Sequence, residues 1–213
     1  RRRRGVMIVF RVPAEVPPGF GPSVVVIGKF DGVHSGHRAV IDRARVKAVS
    51  LGATVVAVTF DRNPLALLAP DKCPENLIGV NQKVRLLADT GVDAVLVLRF
   101  DEDLASLAAD EFASLVLVDA LAAEAVLVGA DFRFGRGGVG TAQTLTAFGL
   151  SHGFEVDVVH DVRAADRGRR VSSTWIRELL SSGDVVGARK LLGRDHSVVG
   201  EVVHGLKRGR EIG

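Results

Sequence analysis

An α/β fold built on a doubly wound parallel sheet is predicted by three features of this 213-residue chain. Apolar runs lie at 24–27, 54–60, 94–98, 125–128 and 155–159, with helical patterns between them near 37–50, 81–90, 109–122 and 141–152. Runs such as Val55-Val56-Ala57-Val58 are apolar on consecutive positions, which is the pattern of parallel strands buried on both faces. Strand and helix alternate regularly, which implies βαβ units. Ligands of such sheets gather beyond the carboxyl ends of the strands, so the loop after each run is where chemistry is expected.

Composition narrows the class. Apolar residues make up 47% and charged residues 25%, the values of a soluble globular protein with room for one substantial core, or one domain and a fragment of another. A single cysteine, Cys73, rules out an internal disulfide framework and fits a reducing compartment. No apolar run reaches the roughly 18 residues of a membrane span. Arg1 to Arg4 are not followed by a signal-peptide core, so a cytoplasmic protein without membrane partners is expected. Charge is uneven: residues 1–11 hold five Arg and no acid, 12–161 hold 12 basic against 19 acidic groups, and 162–213 hold 11 against 6. An acidic body with 5% aromatics and no reading motif argues against nucleic-acid binding, and the arginine run reads as a solvated end. Self-association is left open.

Taken in order, the chain enters through a Pro-rich stretch (Pro13, Pro17, Pro18, Pro22) and reaches the first run, Val24-Val25-Val26-Ile27. Gly28-Lys29-Phe30-Asp31-Gly32-Val33-His34-Ser35-Gly36-His37 follows, opening a helical pattern through Val40, Ile41, Ala44, Ala48 and Val49. Strand, glycine-rich turn and helix start form an anion site, because glycine admits backbone close to a ligand and the helix start offers free N–H groups. His34 and His37 add hydrogen-bond donors there, and charge when protonated. A metal pair is the competing reading, but no third ligand has zinc-site spacing.

After the second run, Thr59-Phe60-Asp61-Arg62-Asn63-Pro64 reads as a proline-punctuated loop. After the fourth, Val128-Gly129-Ala130-Asp131-Phe132-Arg133-Phe134-Gly135-Arg136 combines an acid, two arginines and two rings, either a platform for a nucleotide or flavin or the core of a bent loop. Gly135-x-Gly137-x-x-Gly140 matches the dinucleotide fingerprint, yet a polar and aromatic loop separates it from the preceding run, whereas that fingerprint needs its turn directly at the strand end. Val171-Ser172-Ser173-Thr174-Trp175-Ile176-Arg177 then places hydroxyls and a guanidinium at a helix start, a second anion site. A short helical piece, 185–192, precedes Gly193-Arg194-x-His196-Ser197-Val198-x-Gly200-x-Val202-Val203-His204-Gly205-x-Lys207-Arg208-Gly209-Arg210.

Gly28-x-Phe30-Asp31-Gly32-Val33-His34-x-Gly36-His37 resembles the His-x-Gly-His signature of the nucleotidyltransferase superfamily, and in its fuller form the adenylyltransferase half of bacterial bifunctional riboflavin kinase/FAD synthetases. Val171 to Arg177 is similar to that superfamily's Ile-Ser-Ser-Thr-x-x-Arg, about 135 residues on and in the right order. Gly129 to Gly135 resembles the family's Gly-x-Asp/Asn-Phe-x-Phe-Gly. The 59–64 loop resembles its Thr-Phe-x-Pro-His-Pro, with Arg62 and Asn63 where that pattern has Pro and His.

The resemblance implies a Rossmann-like nucleotidyltransferase fold over 12–192 that transfers AMP from ATP to FMN with Mg²⁺, releasing pyrophosphate. By it, His34, His37 and Arg177 serve catalysis, while Gly28, Phe30, Gly36, Ser172, Ser173 and Thr174 bind ATP. Asp31, Asn63, Asp131 and Phe134 are assigned to flavin or adenine, and no residue to the metal. Residues 193–213 resemble the opening of a riboflavin kinase-like β-barrel, incomplete here, so this chain is expected to make FAD and not to phosphorylate riboflavin. The alternatives are an NAD-dependent oxidoreductase using Gly135, Gly137 and Gly140, a non-catalytic nucleotide-binding module, and a nucleotidyltransferase with another acceptor.

Overall fold

The computed structural model describes residues 6–160, 163 and 168–201; the Arg1–Arg4 run and the kinase-like positions from Val202 onward lie outside them. In chain order come β1 (Ile8–Phe10), β2 (Ser23–Ile27), α1 (Ser35–Leu51), β3 (Thr54–Phe60), α2 (Leu65–Leu68), α3 (Val80–Ala88) and β4 (Ala94–Leu98). There follow α4 (Glu102–Ser106), α5 (Ala109–Ala113), β5 (Ala123–Gly129), β6 (Arg133–Phe134), β7 (Gly140–Thr141), α6 (Ala142–His152), β8 (Glu155–Val159), α7 (Ser173–Ser181) and α8 (Val185–Leu192).

Among the described residues the main sheet has six strands in the order β1-β4-β3-β2-β5-β8, every pair parallel. From β2 the chain steps outward through β3 to β4, then returns across the sheet to place β5 on the other side of β2. That reversal opens a crevice between the carboxyl ends of β2 and β5, where ligands of doubly wound sheets bind. Both loops flanking the crevice are ones the sequence marks, 28–37 after β2 and 129–136 after β5.

The central strands are apolar at consecutive positions because each face is covered. Val24, Val26, Val55, Ala57, Val95 and Leu127 pack with α1, α3, α7 and α8 on one side. Val25, Ile27, Val56, Val58, Leu96 and Val126 pack on the other with Phe112 of α5, Leu145 of α6 and Phe154. The 109–122 helical pattern is not one α-helix: α5 passes into a π-helical stretch over Ser114–Ala120, which seats Val116 and Leu117 in the core. No described helix is long and apolar enough to cross a membrane.

A domain starting at residue 12 leaves out β1. Ile8, Val9 and Phe10 pair with Ala94, Val95 and Leu96 at the sheet edge, and Phe10 meets the ring of Phe20 edge-on at 5.3 Å, so the sheet begins ahead of the prolines. Three residues with five arginines around them carry too little periodicity to read as a strand; the partner strand supplies what the run itself lacks.

Candidate active site

β2 ends at Ile27, and the Gly28 N–H bonds the Val58 carbonyl at 3.1 Å, the last tie to the sheet before the chain turns. The turn is tight: Phe30, Gly32 and Val33 have φ of 48°, 86° and 41°, a left-handed region costly for a bulky or β-branched side chain. Phe30 and Val33 are buried, so packing holds what the backbone would not choose. His34 then caps α1. Its Nδ1 accepts from the His37 N–H at 3.4 Å, and His37 Nδ1 accepts from the His34 N–H at 3.3 Å, a reciprocal box made by two imidazoles. The rings stack at 3.6 Å and 18°. A Cβ on Gly36 would sit 3.1 Å from the His34 ring, so glycine there permits the stack.

This box sets the chemistry of the pair. With both Nδ1 lone pairs occupied, the proton of each neutral ring resides on Nε2, leaving two N–H donors. Burial lowers His34 to about 4, with Arg170 and Arg194 adding to the effect. Burial also holds His37 well below its ordinary range, assisted by His34, Lys83 and Arg170. Both rings are thus held toward the neutral form, in which each offers an Nε2–H donor, and charge would enter only on protonation.

The second motif arrives beside the first. Ser172 caps α7 by accepting from the Trp175 N–H at 3.2 Å, and the Ser173 hydroxyl donates to the Asp31 carbonyl at 2.7 Å. Arg177, one turn into α7, ion-pairs with the Asp31 carboxylate and donates from Nε to the Glu75 carbonyl at 2.6 Å. Asp31 also accepts the Leu77 N–H at 2.9 Å. Burial pushes the Asp31 carboxyl up, and Arg177, the Leu77 and Ile78 N–H groups and Lys83 pull against it. In this state Ser173 and Arg177 join α7 to the histidine loop, Ser172 caps α7 itself, and Thr174 is exposed at the helix start. Asp31 serves that junction with both carboxylate oxygens, an internal use that the sequence does not reveal.

Lys83 is a further charged group of the site that sequence reasoning misses. It is 7% exposed on α3, and its Nζ donates to the Phe60 carbonyl at 3.0 Å and reaches the Thr59 hydroxyl at 3.5 Å. Thr59 in turn donates to the Lys29 carbonyl at 3.2 Å, connecting the amine to the glycine turn. Burial draws the amine down and the nearby Asp31 and Asp61 draw it back up. A lysine in a short amphipathic pattern carries no mark of burial; only the packing of α3 on β3 reveals it.

The remaining marked residues divide. Asp131, largely exposed at the end of β5, pairs with Arg170 at 3.0 Å, whose hydrogen bond holds the carboxyl below its ordinary range. Arg170 also disfavours protonation of both histidines, so this pair, next to the end of β5, lies within electrostatic reach of them. Phe134 is taken up by the core: it is 8% exposed, stacked on Phe132 at 5.3 Å and tilted against Phe112 at 6.0 Å. Asn63 accepts the Leu65 N–H at 3.1 Å, bracing the start of α2. Gly135, Gly137 and Gly140 build the small antiparallel β6–β7 hairpin, where a Cβ on Gly135 would lie 2.6 Å from Ala109 Cα and one on Gly140 2.7 Å from the Phe134 ring. Gly135 and Gly140 serve tight packing there, Gly137 takes a left-handed turn conformation (φ 65°), and the strand end is at Gly129.

Comparison with known proteins follows the same lines. The sequence model of the FAD synthetase family matches residues 18–175. Bifunctional riboflavin kinase/FMN adenylyltransferase of Escherichia coli (strain K12) is 40% identical over 190 residues, 89% of this chain and 60% of that protein. The protein of the same name in Bacillus subtilis (strain 168) is 35% identical over 192 residues, 90% of this chain. The chain thus spans about 60% of the length of these curated relatives. A solved structure described as a macrolide-efflux protein from Streptococcus pneumoniae superposes with a TM-score of 0.80 at 31% identity, covering 98% of this chain and 66% of that one. With the glycine-histidine turn, the hydroxyl-capped α7 and a match over most of its length, the chain belongs to the FAD synthetase family.

Proposed function

We propose that this chain is an FMN adenylyltransferase. An oxygen of the FMN phosphate attacks the α-phosphorus of ATP, a new P–O bond forms, and the bond to the β-phosphate bridge breaks to release pyrophosphate. Both reactants are anionic and the attacking oxygen is already ionised, so neither a protein nucleophile nor a proton-abstracting base is required. Positioning and charge stabilisation suffice. The observation that carries the reading is the reciprocal histidine cap, which leaves two fixed Nε2–H donors at the β2 switch crevice. Fixed donors stabilise developing phosphate charge without reorganising during the reaction.

His34 and His37 are assigned to the triphosphate and transition state. Gly28, Phe30 and Gly36 shape the turn that lets phosphate approach. Ser172, Ser173 and Thr174 provide the α7 start, and Arg177 binds phosphate by exchanging its Asp31 contact for the ligand. Asp131, with Arg170, stands where a flavin or adenine edge would meet the β5 loop. Asn63 and Phe134 act only by supporting their loops. The described residues contain no group of three metal-ligating side chains, and Asp31 is bonded within the protein. Magnesium is expected to enter with ATP, held largely by phosphate oxygens and water, and no residue is assigned to it.

The test is to supply purified protein with ATP, FMN and Mg²⁺ and to follow FAD and pyrophosphate. Formation of both in equal amounts is expected. Pyrophosphate released only with a different acceptor would keep the reaction class and replace the substrate, and no product with FMN would refute the proposal.

A further inference from the structure

The segment after α8 makes contacts that a passive connection would not need. Arg194 donates from Nη2 to the Gly32 carbonyl at 2.6 Å and from Nη1 to the Val33 carbonyl at 3.4 Å, while Nη1 also reaches the Leu192 carbonyl at 3.3 Å. The planar guanidinium thus bridges the last carbonyl of α8 to the two residues just before His34, a multiple contact a single ammonium cannot reproduce. Two residues on, His196 Nε2 lies 3.1 Å from the Leu77 carbonyl, and the N–H of that same Leu77 is held by Asp31. Ser197 closes the series, accepting from the buried Gln82 amide at its carbonyl (2.9 Å) and its hydroxyl (3.0 Å). Val198 and Val199, next along, are exposed.

These contacts meet the histidine turn at its weakest point. Gly32 and Val33 both hold left-handed φ, and a β-branched residue keeps such a backbone only where its surroundings determine it from several sides. Leu77 and Leu192 press on Gly32, where a Cβ would lie 3.0 and 3.3 Å from their methyl groups. Packing closes one side, and Arg194 holds the carbonyls of the same two peptides. If they relaxed, the His34 cap and the stacked pair would move with them.

We propose that Arg194 is a positioning residue of the adenylyltransferase site, acting through the Gly32 and Val33 carbonyls on His34, and that residues 194–197 belong functionally to that site. The inference rests on the adenylyltransferase reading for its kinetic consequence and on geometry alone for the contact. It extends the functional unit past residue 192 and past the 18–175 span of the family match.

The experiment compares wild type, Arg194→Met and Arg194→Lys in the whole chain. Thermal melts confirm folding, hydrogen exchange of peptides covering 28–37 reads the turn, and steady-state kinetics give kcat and the KM values for ATP and FMN. Arg194→Met is expected to speed exchange at 28–37 and in the 192–197 segment that carries it, and not elsewhere. It is also expected to lower kcat by about 10- to 100-fold, the scale of a small misplacement of catalytic groups, with both KM values within about threefold. Arg194→Lys, which keeps the charge and one donor nitrogen in place of the guanidinium fork, should recover part of both effects, and it carries the comparison if Arg194→Met does not fold. Wild-type exchange at 28–37 in a folded variant would overturn the proposal, as would exchange rising uniformly along the chain or a loss confined to KM. If wild type forms no FAD, the functional reading fails, while exchange at 28–37 still decides whether Arg194 holds the turn.

Discussion

His34 and His37 work as a pair because each completes the other's cap. Removing one ring therefore has two separable costs. His37→Ala is expected to lower FAD formation by roughly 10²- to 10³-fold, the scale for losing one fixed transition-state donor. It should also cost about 1 kcal/mol of stability, since the His34 N–H loses its acceptor at the helix start. Kinetics and thermal melts on the same preparation distinguish the two. Because burial keeps both rings neutral, the rate is expected to hold steady from about pH 6.5 to 8; a decline there following the ordinary histidine pKa would mean that the imidazolium is the working form. Lys83 belongs at this scale too, since its charge and its link through Thr59 to Lys29 were invisible in a stretch that reads only as amphipathic helix. Asn63 shows the converse: the sequence marks it, and its side chain is spent on the Leu65 N–H.

α7 shows how one element couples two sites. Its first turn is capped by Ser172, its first residue, Ser173, reaches the Asp31 carbonyl, and Arg177 closes the junction by pairing with the Asp31 carboxylate. The two side chains are only 20% and 12% exposed, so removing one leaves the other poorly solvated. Arg177→Ala is expected to destabilise the fold by about 2 kcal/mol, below the full cost of breaking a wholly buried pair, and to raise the KM for ATP. Adding Asp31→Asn should return part of the stability, because the uncompensated carboxylate is gone. Urea unfolding of the two single variants and the double variant measures this; strict additivity would show that the pair is energetically idle. α5 teaches a different lesson at the same scale. Its pattern reads as continuous from 109 to 122, but periodicity does not distinguish an α-turn from the wider turn at Ser114–Ala120.

At the scale of the whole molecule, the neutral histidines make the fold acid-sensitive. The folded pKa of His34, about 4, lies below its unfolded value near 6.5, so the unfolded chain binds more protons between them. The stability from this group is complete above about pH 6.5 and is lost as pH falls toward 4. His37 adds to it in the same direction, while the raised carboxyl of Asp31 opposes it at lower pH. Between about pH 7.5 and 5.5 the His34 share is about 1 kcal/mol. Urea unfolding at the two pH values should show that loss, and His34→Gln should reduce it; an unchanged slope in His34→Gln would mean that His34 does not titrate as its burial implies.

Much of this molecule is local, and that part was legible. Short runs of consecutive apolar residues between turn signals fit strands covered on both faces, and the runs at 24–27, 54–60, 94–98 and 125–128, together with the more mixed 155–159, coincide with β2, β3, β4, β5 and β8 to within two residues. The glycine-histidine turn and the hydroxyls before α7 declare themselves because caps and tight turns are written in adjacent side chains. What only the tertiary structure decided lies between distant residues. β1 exists because β4 offers it a partner, and β2 borders β5 because the chain reverses across the sheet. Asp31 meets Arg177 across 146 positions, and Arg194 reaches back 162 to Gly32. Periodicity tells which face of an element is buried and is silent on what buries it, so charged groups that acquire their role from a neighbour far along the chain stay unmarked until the packing brings them together.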